Sequence, residues 1–592
     1  GPAGATTGPG GGTITSGTTT ITTAVVADPA AGEETGVILI DAANGIGNIN
    51  VAGNVGTIHA AILGPVTVSR FNAPVAVGLI GISQIFTPTI IPPAAPPVAP
   101  GDGGTGSINQ VILRAGGIAP SGSGAISTAG IYADDQIGPI TNDAPADIRG
   151  SIISKIGLTG INLREGSIIH ATIGTLEQFN QSTEIPVPGV IQDFQTPITN
   201  PAFNVGNIVV NGNGGIIGTQ FDGVHYGRIA VHGGFGILDT FFGTLGDGTI
   251  AGIITDGYGL RKDIWSGGSS IGTIAATGNG SNVSTHTYSA DVRLSETQNW
   301  DPYFGLNPNL LTDINVTTGA TAANPFLPGF DGGGTDTGVI QDSVFAGNRD
   351  LGSLRAYQIR ATNPALLPTF INFANSIGTV TTLSNNDGLS ITTGRFKLFQ
   401  PGGDSNNTQV IVAGPIKKLA LKGNLLGTSS IQAVGVNGNI GTLLVGGSIS
   451  GKITATRKIG NVTIMGSLGG TVSAASVGSL KVNGILNGGN LDIQGNISLF
   501  QTAGDLGLPG ETLTIHGSAQ TIKIGGSVNA NVIVQGNVGN FFVGHSIISG
   551  NNVTVTGVLN NIVVNGDLQT GAIVTAALIK KKVIHGAIQG TI

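Results

Sequence analysis

The chain has 592 residues, of which 10% are charged, 40% are hydrophobic and 5% are aromatic, with 100 Gly and no Cys. So little charge, against about 25% in ordinary globular domains, argues against many surface helices, and the absence of Cys excludes disulfides and thiolate metal sites. The net charge of −7 is unevenly placed, because residues 401–592 carry 11 Lys and Arg and 5 Asp and Glu, whereas residues 1–400 carry 14 and 27.

Residues 1–35 form a Gly- and Thr-rich arm with no charge before Asp28. Its β-branched stretches have strand character but nothing of their own to bury against. Two interpretations remain open: a disordered terminus, or a strand donated to a neighbouring copy. The chain begins with Gly1 rather than Met, so we expect that a secretory signal has been removed. A single Met and no Cys favour an extracellular setting.

A repeated phrase begins at residues 46–55, so we expect a solenoid from about residue 36. Apolar residues stand at an anchor, here Ile46, and three, five and nine positions after it, and Gly stands seven positions after it. Further copies begin at Val205, Tyr226, Leu351 and Ile377. Between residues 36 and 415 we predict insertions at 85–104, 184–203 and 295–336, the last holding Trp300 and Tyr303. Such side loops are where a solenoid usually carries binding specificity.

From residue 416 to 592 the phrase becomes regular. Its nine anchors are separated by 24, 19, 18, 20, 22, 19, 21 and 20 residues, which averages about 20. Gly stands seven positions after the anchor in eight copies, and His545 replaces it in the other. The nine anchors are Ile416, Ile440, Ile459, Val477, Ile497, Ala519, Val538, Leu559 and Ile579.

This spacing predicts an all-β fold, a parallel β-helix or β-solenoid with about 20 residues per coil. Alternating Val and Ile closed by Gly is typical of a short strand entering a turn. Twenty residues are too few for a strand and a crossover helix, which need about 30, so successive coils must pair as parallel strands. Steps of 18 to 24 residues without strict six-residue punctuation favour the right-handed form. Gly at the turn indicates either a positive φ or a close approach between neighbouring coils.

The carboxylates do not predict an active site. A glycosidase needs two carboxyl groups about 5 to 9.5 Å apart. Asp134 and Asp135 are the only adjacent pair after the arm, and neighbouring strand residues point to opposite faces. The further Asp, His-Gly and Arg-x-Lys signatures of the polygalacturonase family are not found together after this pair. We therefore predict no catalytic residue and no enzyme activity.

No metal or cofactor site is predicted. His225 and His232 are close in sequence but lack a third ligand at metal spacing, and His545 and His585 fall at turn positions. The Gly-rich stretch between Asp331 and Asp336 resembles an oxygen-rich calcium loop without matching a known calcium repeat. A plain turn is the favoured interpretation there, and calcium is the alternative.

The last copy is followed by only four residues and by no charged or helical cap. We expect the column to end open and to be covered by another copy, to which the acidic front and basic back of the chain would contribute attraction. Lys580, Lys581 and Lys582 are interpreted as a terminal or interface feature rather than a nucleic-acid patch. No membrane span is predicted, because Gly and Pro break the charge-free stretches.

The copies, such as Ile459 to Leu468, resemble the Gly- and Asn-punctuated repeats of bacterial right-handed β-helix surface proteins, which include adhesins and surface-layer or filament proteins. The resemblance covers roughly residues 36 to 592. It implies an extracellular structural protein that assembles head to tail into a filament, sheath or surface layer. The alternatives are a carbohydrate-active β-helix enzyme (a polysaccharide lyase or hydrolase) and an adhesin that binds glycans through its side loops.

Overall fold

The computed structural model shows an all-β protein in which parallel strands stack as the coils of a β-solenoid, about 21 residues apart. The structure describes residues 338–592 apart from 362, 365–367 and 485–489, and residues 130–175 and 204–277 apart from short gaps; of the remainder it describes individual strands. No helix occurs among these residues. The predicted fold class is therefore confirmed, while the right-handed sense of the coil stays a prediction.

The chain forms two compact units, unit 1 from Gly1 to Asn348 and unit 2 from Arg349 to Ile592. The predicted boundaries after residues 35 and 415 stay predictions.

Unit 1 contains 28 of the described strands, most of them short. They are β1 (Thr6–Thr7), β2 (Thr13–Ile14), β3 (Thr20–Thr23), β4 (Gly36–Ala42), β5 (Asn48–Val51), β6 (Asn54–Ala60), β7 (Leu63–Phe71), β8 (Pro74–Val77), β9 (Ile108–Ile118), β10 (Gly130–Ala133), β11 (Gln136–Ile137), β12 (Ile140–Asn142), β13 (Ser151–Ser154), β14 (Gly157–Leu163), β15 (Ile168–Ile169), β16 (Thr172–Thr175), β17 (Asn204–Val210), β18 (Gly215–Ile217), β19 (Gln220–Val231), β20 (Gly236–Leu238), β21 (Phe241–Thr255), β22 (Gly259–Arg261), β23 (Ile264–Ser266), β24 (Ser270–Ala276), β25 (His286–Thr287), β26 (Thr321–Ala322), β27 (Val339–Gln341) and β28 (Val344–Gly347).

Unit 2 contains 20 of the described strands. They are β29 (Asp350–Ala356), β30 (Gln358–Arg360), β31 (Thr369–Thr382), β32 (Asn386–Asp387), β33 (Leu389–Gln400), β34 (Ser405–Asn406), β35 (Gln409–Val412), β36 (Ile416–Leu421), β37 (Ser430–Ala433), β38 (Ile440–Val445), β39 (Lys452–Ile464), β40 (Thr471–Val482), β41 (Asn490–Ile493), β42 (Ile497–Thr502), β43 (Thr512–Ile515), β44 (Ala519–Ile524), β45 (Asn531–Val534), β46 (Val538–Val543), β47 (Asn552–Val564) and β48 (Ile573–Ile584).

The predicted anchors stack directly on one another in unit 2. Leu351 pairs with Ile377, Ile377 with Phe396 and Phe396 with Ile416, so the series extends three coils before residue 416. The nine predicted anchors continue it in unbroken register from Ile416 to Ile579. The residues nine positions after the anchors form a second column, as in the pairs Leu425–Ile449 and Ile547–Leu568. The repeat in the sequence is therefore the repeat of the coil.

The core of unit 2 is built from the inward positions of these strands. Anchors and the residues three and five positions later are buried in most coils, with burial alternating as the strand pleat requires. Phe399, Phe500 and Phe541 all stand three positions after an anchor and are 0% exposed. Each such side chain contributes about 1.5–3 kcal/mol by its burial, so the aliphatic column supplies much of the free energy that holds the coils together.

Close packing, and not a positive φ, explains seven of the eight turn glycines; a Cβ added to the eighth, Gly504, would meet nothing within 4 Å. None of the eight glycines that stand seven positions after an anchor has a positive φ. A Cβ added to Gly466 would instead lie 2.7 Å from the backbone carbon of Gly447 in the preceding coil. Of the two reasons expected for Gly at this position, the approach of neighbouring coils is the one that applies.

The arm contributes strands to its own chain. Strand β1 pairs antiparallel with β4, and β3 pairs parallel with β5. Both pairings lie within unit 1. Donation of the arm to another copy stays a prediction.

Of the three predicted insertions, only the last contains residues that the structure describes. Residues 85–104 and 184–203 lie outside the described residues. Within 295–336 the structure describes strand β26, which pairs antiparallel with β25.

Candidate functional site

One flat side of unit 2 is formed by the outward residues of the anchor strands. We call it the anchor face and define it as the positions one, two, four and six residues after the twelve anchors from Leu351 to Ile579. All 48 of these side chains are half-buried or exposed, whereas the positions between them point into the core. Parallel pairing places equivalent positions above one another, for example Leu398 beside Lys418 and Thr463 beside Lys481.

The anchor face carries charge of one sign. Unit 2 has 16 Lys and Arg and 7 Asp and Glu, a net charge of +9. Nine of the cations stand on the anchor face and none of the acids does. The nine cations, all exposed, are Arg355, Lys397, Lys417, Lys418, Lys422, Lys481, Lys523, Lys580 and Lys581.

The acids of unit 2 lie off the anchor face. They stand directly before an anchor, at the corner that follows an anchor strand, or in the part of the coil outside the anchor strands. Asp404, Asp505 and Asp567 occupy the position eight residues after an anchor, next to the turn glycine. There each carboxylate accepts a backbone N–H from the coil that follows: Asn424 N to Asp404 Oδ1 at 2.7 Å, and Ala587 N to Asp567 Oδ1 at 2.7 Å. Among the described residues no ion pair joins these carboxylates to the cations of the anchor face.

This corner is a ladder of side-chain acceptors. Asn424 Oδ1 accepts from Ser448 N at 2.7 Å, Ser448 Oγ accepts from Ser467 N at 2.9 Å, and Ser546 Oγ accepts from Asp567 N at 2.9 Å. Each bond satisfies a backbone N–H that the turn would otherwise leave unpaired. The ladder was not predicted, although the sequence shows it: Asp, Asn or Ser follows the turn glycine in most copies.

The terminal coil exposes the ends of the buried columns. Leu559, Ile562, Val564 and Leu568 are 0% exposed, whereas Ile588, which stacks on Leu568, is 58% exposed. Lys582 pairs with Ile562 at a position that points inward in the other coils, and here its side chain is exposed. Among the described residues β48 pairs along its length with β47, and Ile573 at its start also bridges Thr591. Lys580, Lys581 and Lys582 are all exposed, and their interpretation as a terminal or interface feature stays a prediction.

Two of the buried polar side chains of unit 2, Asn386 and Ser405, stack on one another in the core column nine positions after the anchors. Asn386 is 1% exposed and Ser405 is 0% exposed, and the two pair in neighbouring coils between Ile359 and Leu425. Neither the Asn386 amide nor the Ser405 hydroxyl has a hydrogen-bond partner within the described residues.

The histidines are not gathered into a metal site. His225 Nδ1 lies 3.1 Å from Thr249 Oγ1, and His232 Nδ1 lies 3.1 Å from Asp256 Oδ2, in an exposed pair. His545 and His585 are exposed. Within the part of the chain that the structure describes, no group of three or more potential metal-binding side chains is found.

The acidic residues considered in the sequence, Asp134, Asp135, Asp331 and Asp336, lie outside the described residues. The absence of a catalytic pair and the alternative of a calcium loop stay predictions. Among the described residues, no helix is long and hydrophobic enough to span a membrane.

Comparison of the chain with known protein families, with curated proteins and with solved structures finds no match.

Proposed function

We propose that this chain is an extracellular structural protein whose copies join end to end into a filament, sheath or surface layer. The observation that carries the proposal is the opposite net charge of the two units, and the exposed edge of β48 is where we propose that copies meet. Ile588 continues a buried column of the core but is 58% exposed, and among the described residues the outer edge of β48 pairs only at its start, where Ile573 bridges Thr591. A parallel coil of a second copy would pair that edge and bury those side chains, in the way each coil of unit 2 does for the one before it.

The opposite net charges of the two units favour contact between unit 1 of one copy and unit 2 of another. Unit 1 carries 9 Lys and Arg and 25 Asp and Glu, a net charge of −16, against +9 for unit 2. Lys580, Lys581 and Lys582 make the terminal coil basic, and no acid follows Asp567. An acidic partner surface is therefore attracted to it, and a carboxylate opposite Lys582 would offset the cost of covering that charge.

The lack of Cys and the resemblance of the repeats to those of bacterial β-helix surface proteins support an extracellular location. The carbohydrate-active enzyme and the loop-binding adhesin stay as alternatives.

Substitution of Ile588 by Asp tests the proposal. The side chain is already exposed, so the coil should fold, but the new carboxylate would face an acidic partner and leave a charge in the joint. We expect the unaltered protein to form ordered polymers in negative-stain images and the Ile588→Asp variant to remain as single particles, with sedimentation velocity measuring the same loss.

Val436→Asp is the matched control, because Val436 is also an exposed apolar residue, at 84%, but lies at a corner of an internal coil. This variant should polymerise normally. Single particles of the unaltered protein under all conditions, or polymers of Ile588→Asp that match the control, would contradict the proposal.

A further inference from the structure

We infer that the anchor face of unit 2 binds a linear acidic polysaccharide, one that carries a carboxylate or sulfate along its length. The inference concerns the side of the unit. Lys580 and Lys581 of the last coil also belong to this face, so the test below uses only cations of earlier coils.

The first support is the segregation of charge. Of the 48 positions on the anchor face, nine are Lys or Arg and none is acidic, whereas the remaining residues of unit 2 hold seven cations and seven acids. A surface balanced for solubility alone mixes the two signs. A long field of one sign attracts a partner of the opposite sign and speeds its association.

The second support is that these cations are not used within the chain. All nine are exposed, and among the described residues none has an ion-pair or side-chain hydrogen-bond partner. Arg457, which lies off this face, is different, because its Nη1 donates to the carbonyl oxygen of Val436 at 3.3 Å. Exposed ammonium groups keep their long stems free and can adjust to a ligand without first breaking an internal bond.

The shape of the face indicates a linear ligand. Each anchor strand spans about six residues, or roughly 20 Å, while twelve coils at about 4.8 Å per strand extend for roughly 50 Å. The cations are spread along the longer direction, from Arg355 in the first coil to Lys581 in the last. A narrow strip with separated charges matches an extended polymer better than a compact ligand.

The uncharged residues of the face favour sugars over protein or nucleic acid. The column two positions after the anchors is mainly Thr, Asn and Ser, including Thr442, Asn461 and Ser479, which can bond to hydroxyl groups. The exposed large apolar side chains of the face are Leu383, Leu444 and Met465, and its two aromatic side chains, Tyr357 and Phe542, are half-buried and lie in widely separated coils. A protein partner would need aromatic or apolar anchors in a packed centre, and single-stranded nucleic acid would need aromatic side chains for base stacking.

Binding of polygalacturonate, which carries a carboxylate on each sugar, tests the inference on the full-length protein. We expect binding by biolayer interferometry at about 50 mM salt that weakens markedly by about 200 mM, because both partners are charged and exposed. Dextran, a neutral polymer, should not bind.

Two triple variants locate the binding. Lys418→Gln, Lys481→Gln and Lys523→Gln together remove three charges from the anchor face and should weaken binding at least about tenfold. Lys452→Gln, Arg457→Gln and Lys458→Gln together remove three charges elsewhere in unit 2 and should change it less than about threefold. Equal melting temperatures of the two triples would show that both are folded.

The inference would be overturned by equal effects of the two triples, by equal binding of dextran, or by no binding of polygalacturonate at low salt. Tighter binding of poly(dT), of phosphatidylserine-containing vesicles or of a second copy through this face would also overturn it, since each would name another class of partner. Because none of the six residues lies in the terminal coil, loss of end-to-end assembly would leave the result unaffected.

Discussion

At the scale of single residues, two neighbouring positions define each corner of unit 2. The turn glycine allows one coil to approach the next, and the residue after it supplies an oxygen to a backbone N–H of the following coil. Asn424 shows both halves of the ladder, since its Nδ2 donates to Asp404 Oδ1 at 2.9 Å and its Oδ1 accepts from Ser448 N at 2.7 Å. The corner therefore joins adjacent coils at the point where strand pairing is interrupted.

Gly466→Ala should lower the free energy of unfolding by about 1–3 kcal/mol, because the new methyl group would meet the backbone of Gly447 and force the coils apart. Gly427→Ala is the control: its Cβ would be 3.8 Å from the nearest atom, Ser450 O. Urea unfolding of the two variants measures the difference. Equal stabilities would show that the corner glycines are not required for close approach.

At the scale of strands, β32 and β34 differ from their neighbours by placing Asn386 and Ser405 in an aliphatic column. A buried amide without a partner costs about 1–3 kcal/mol, so these two strands weaken the core locally. The later members of the same column, such as Ile547, Leu568 and Ile588, are apolar. The stack of coils is thus not uniform in stability.

Asn386→Leu should raise the free energy of unfolding by about 1–2 kcal/mol, because an unpartnered amide is replaced by an apolar side chain of similar size. Asn406→Leu in the next coil is the control and should be destabilising, since Asn406 Oδ1 accepts from Thr428 Oγ1 at 2.8 Å and its Nδ2 donates to Asp387 Oδ1 at 3.2 Å. Thermal unfolding measures both. A destabilised Asn386→Leu variant would show that the amide is hydrogen-bonded in solution.

At the scale of the whole molecule, the two units carry net charges of opposite sign. Unit 1 is strongly acidic and unit 2 is basic, at net charges of −16 and +9. Such a division makes association between unlike surfaces of two copies favourable at low ionic strength.

The rate of polymer growth should therefore fall by about tenfold or more when salt is raised from about 50 mM to about 500 mM, because the Debye length shortens from over 10 Å to under 5 Å. Light scattering with seeded polymers measures the rate, and a nonionic osmolyte at equal osmolality is the control. Faster growth at high salt would instead show that apolar contacts alone drive the joint.

The sequence was sufficient to predict the coil because each repeat is a short, contiguous stretch of the chain. Spacing alone identifies the nine anchors from Ile416 to Ile579 and the apolar residues nine positions later, because every coil packs the same positions against its neighbours. Their pairing in register confirms that prediction. The reason for Gly466 and its equivalents was only half predicted, because a single phrase shows that Gly is needed but not which neighbour it approaches.

The tertiary structure decided what depends on neighbours about 20 residues apart. Lys418, Lys481 and Lys523 lie far apart in the sequence, and only stacking brings them onto one acid-free face. Asn386 and Ser405 become a buried, unpartnered pair for the same reason, and Lys582 was located at an exposed column end only by its pairing with Ile562. Periodicity fixes which side of a strand a residue occupies, whereas the charge, solvent exposure and partners of that residue are set by the coils above and below it.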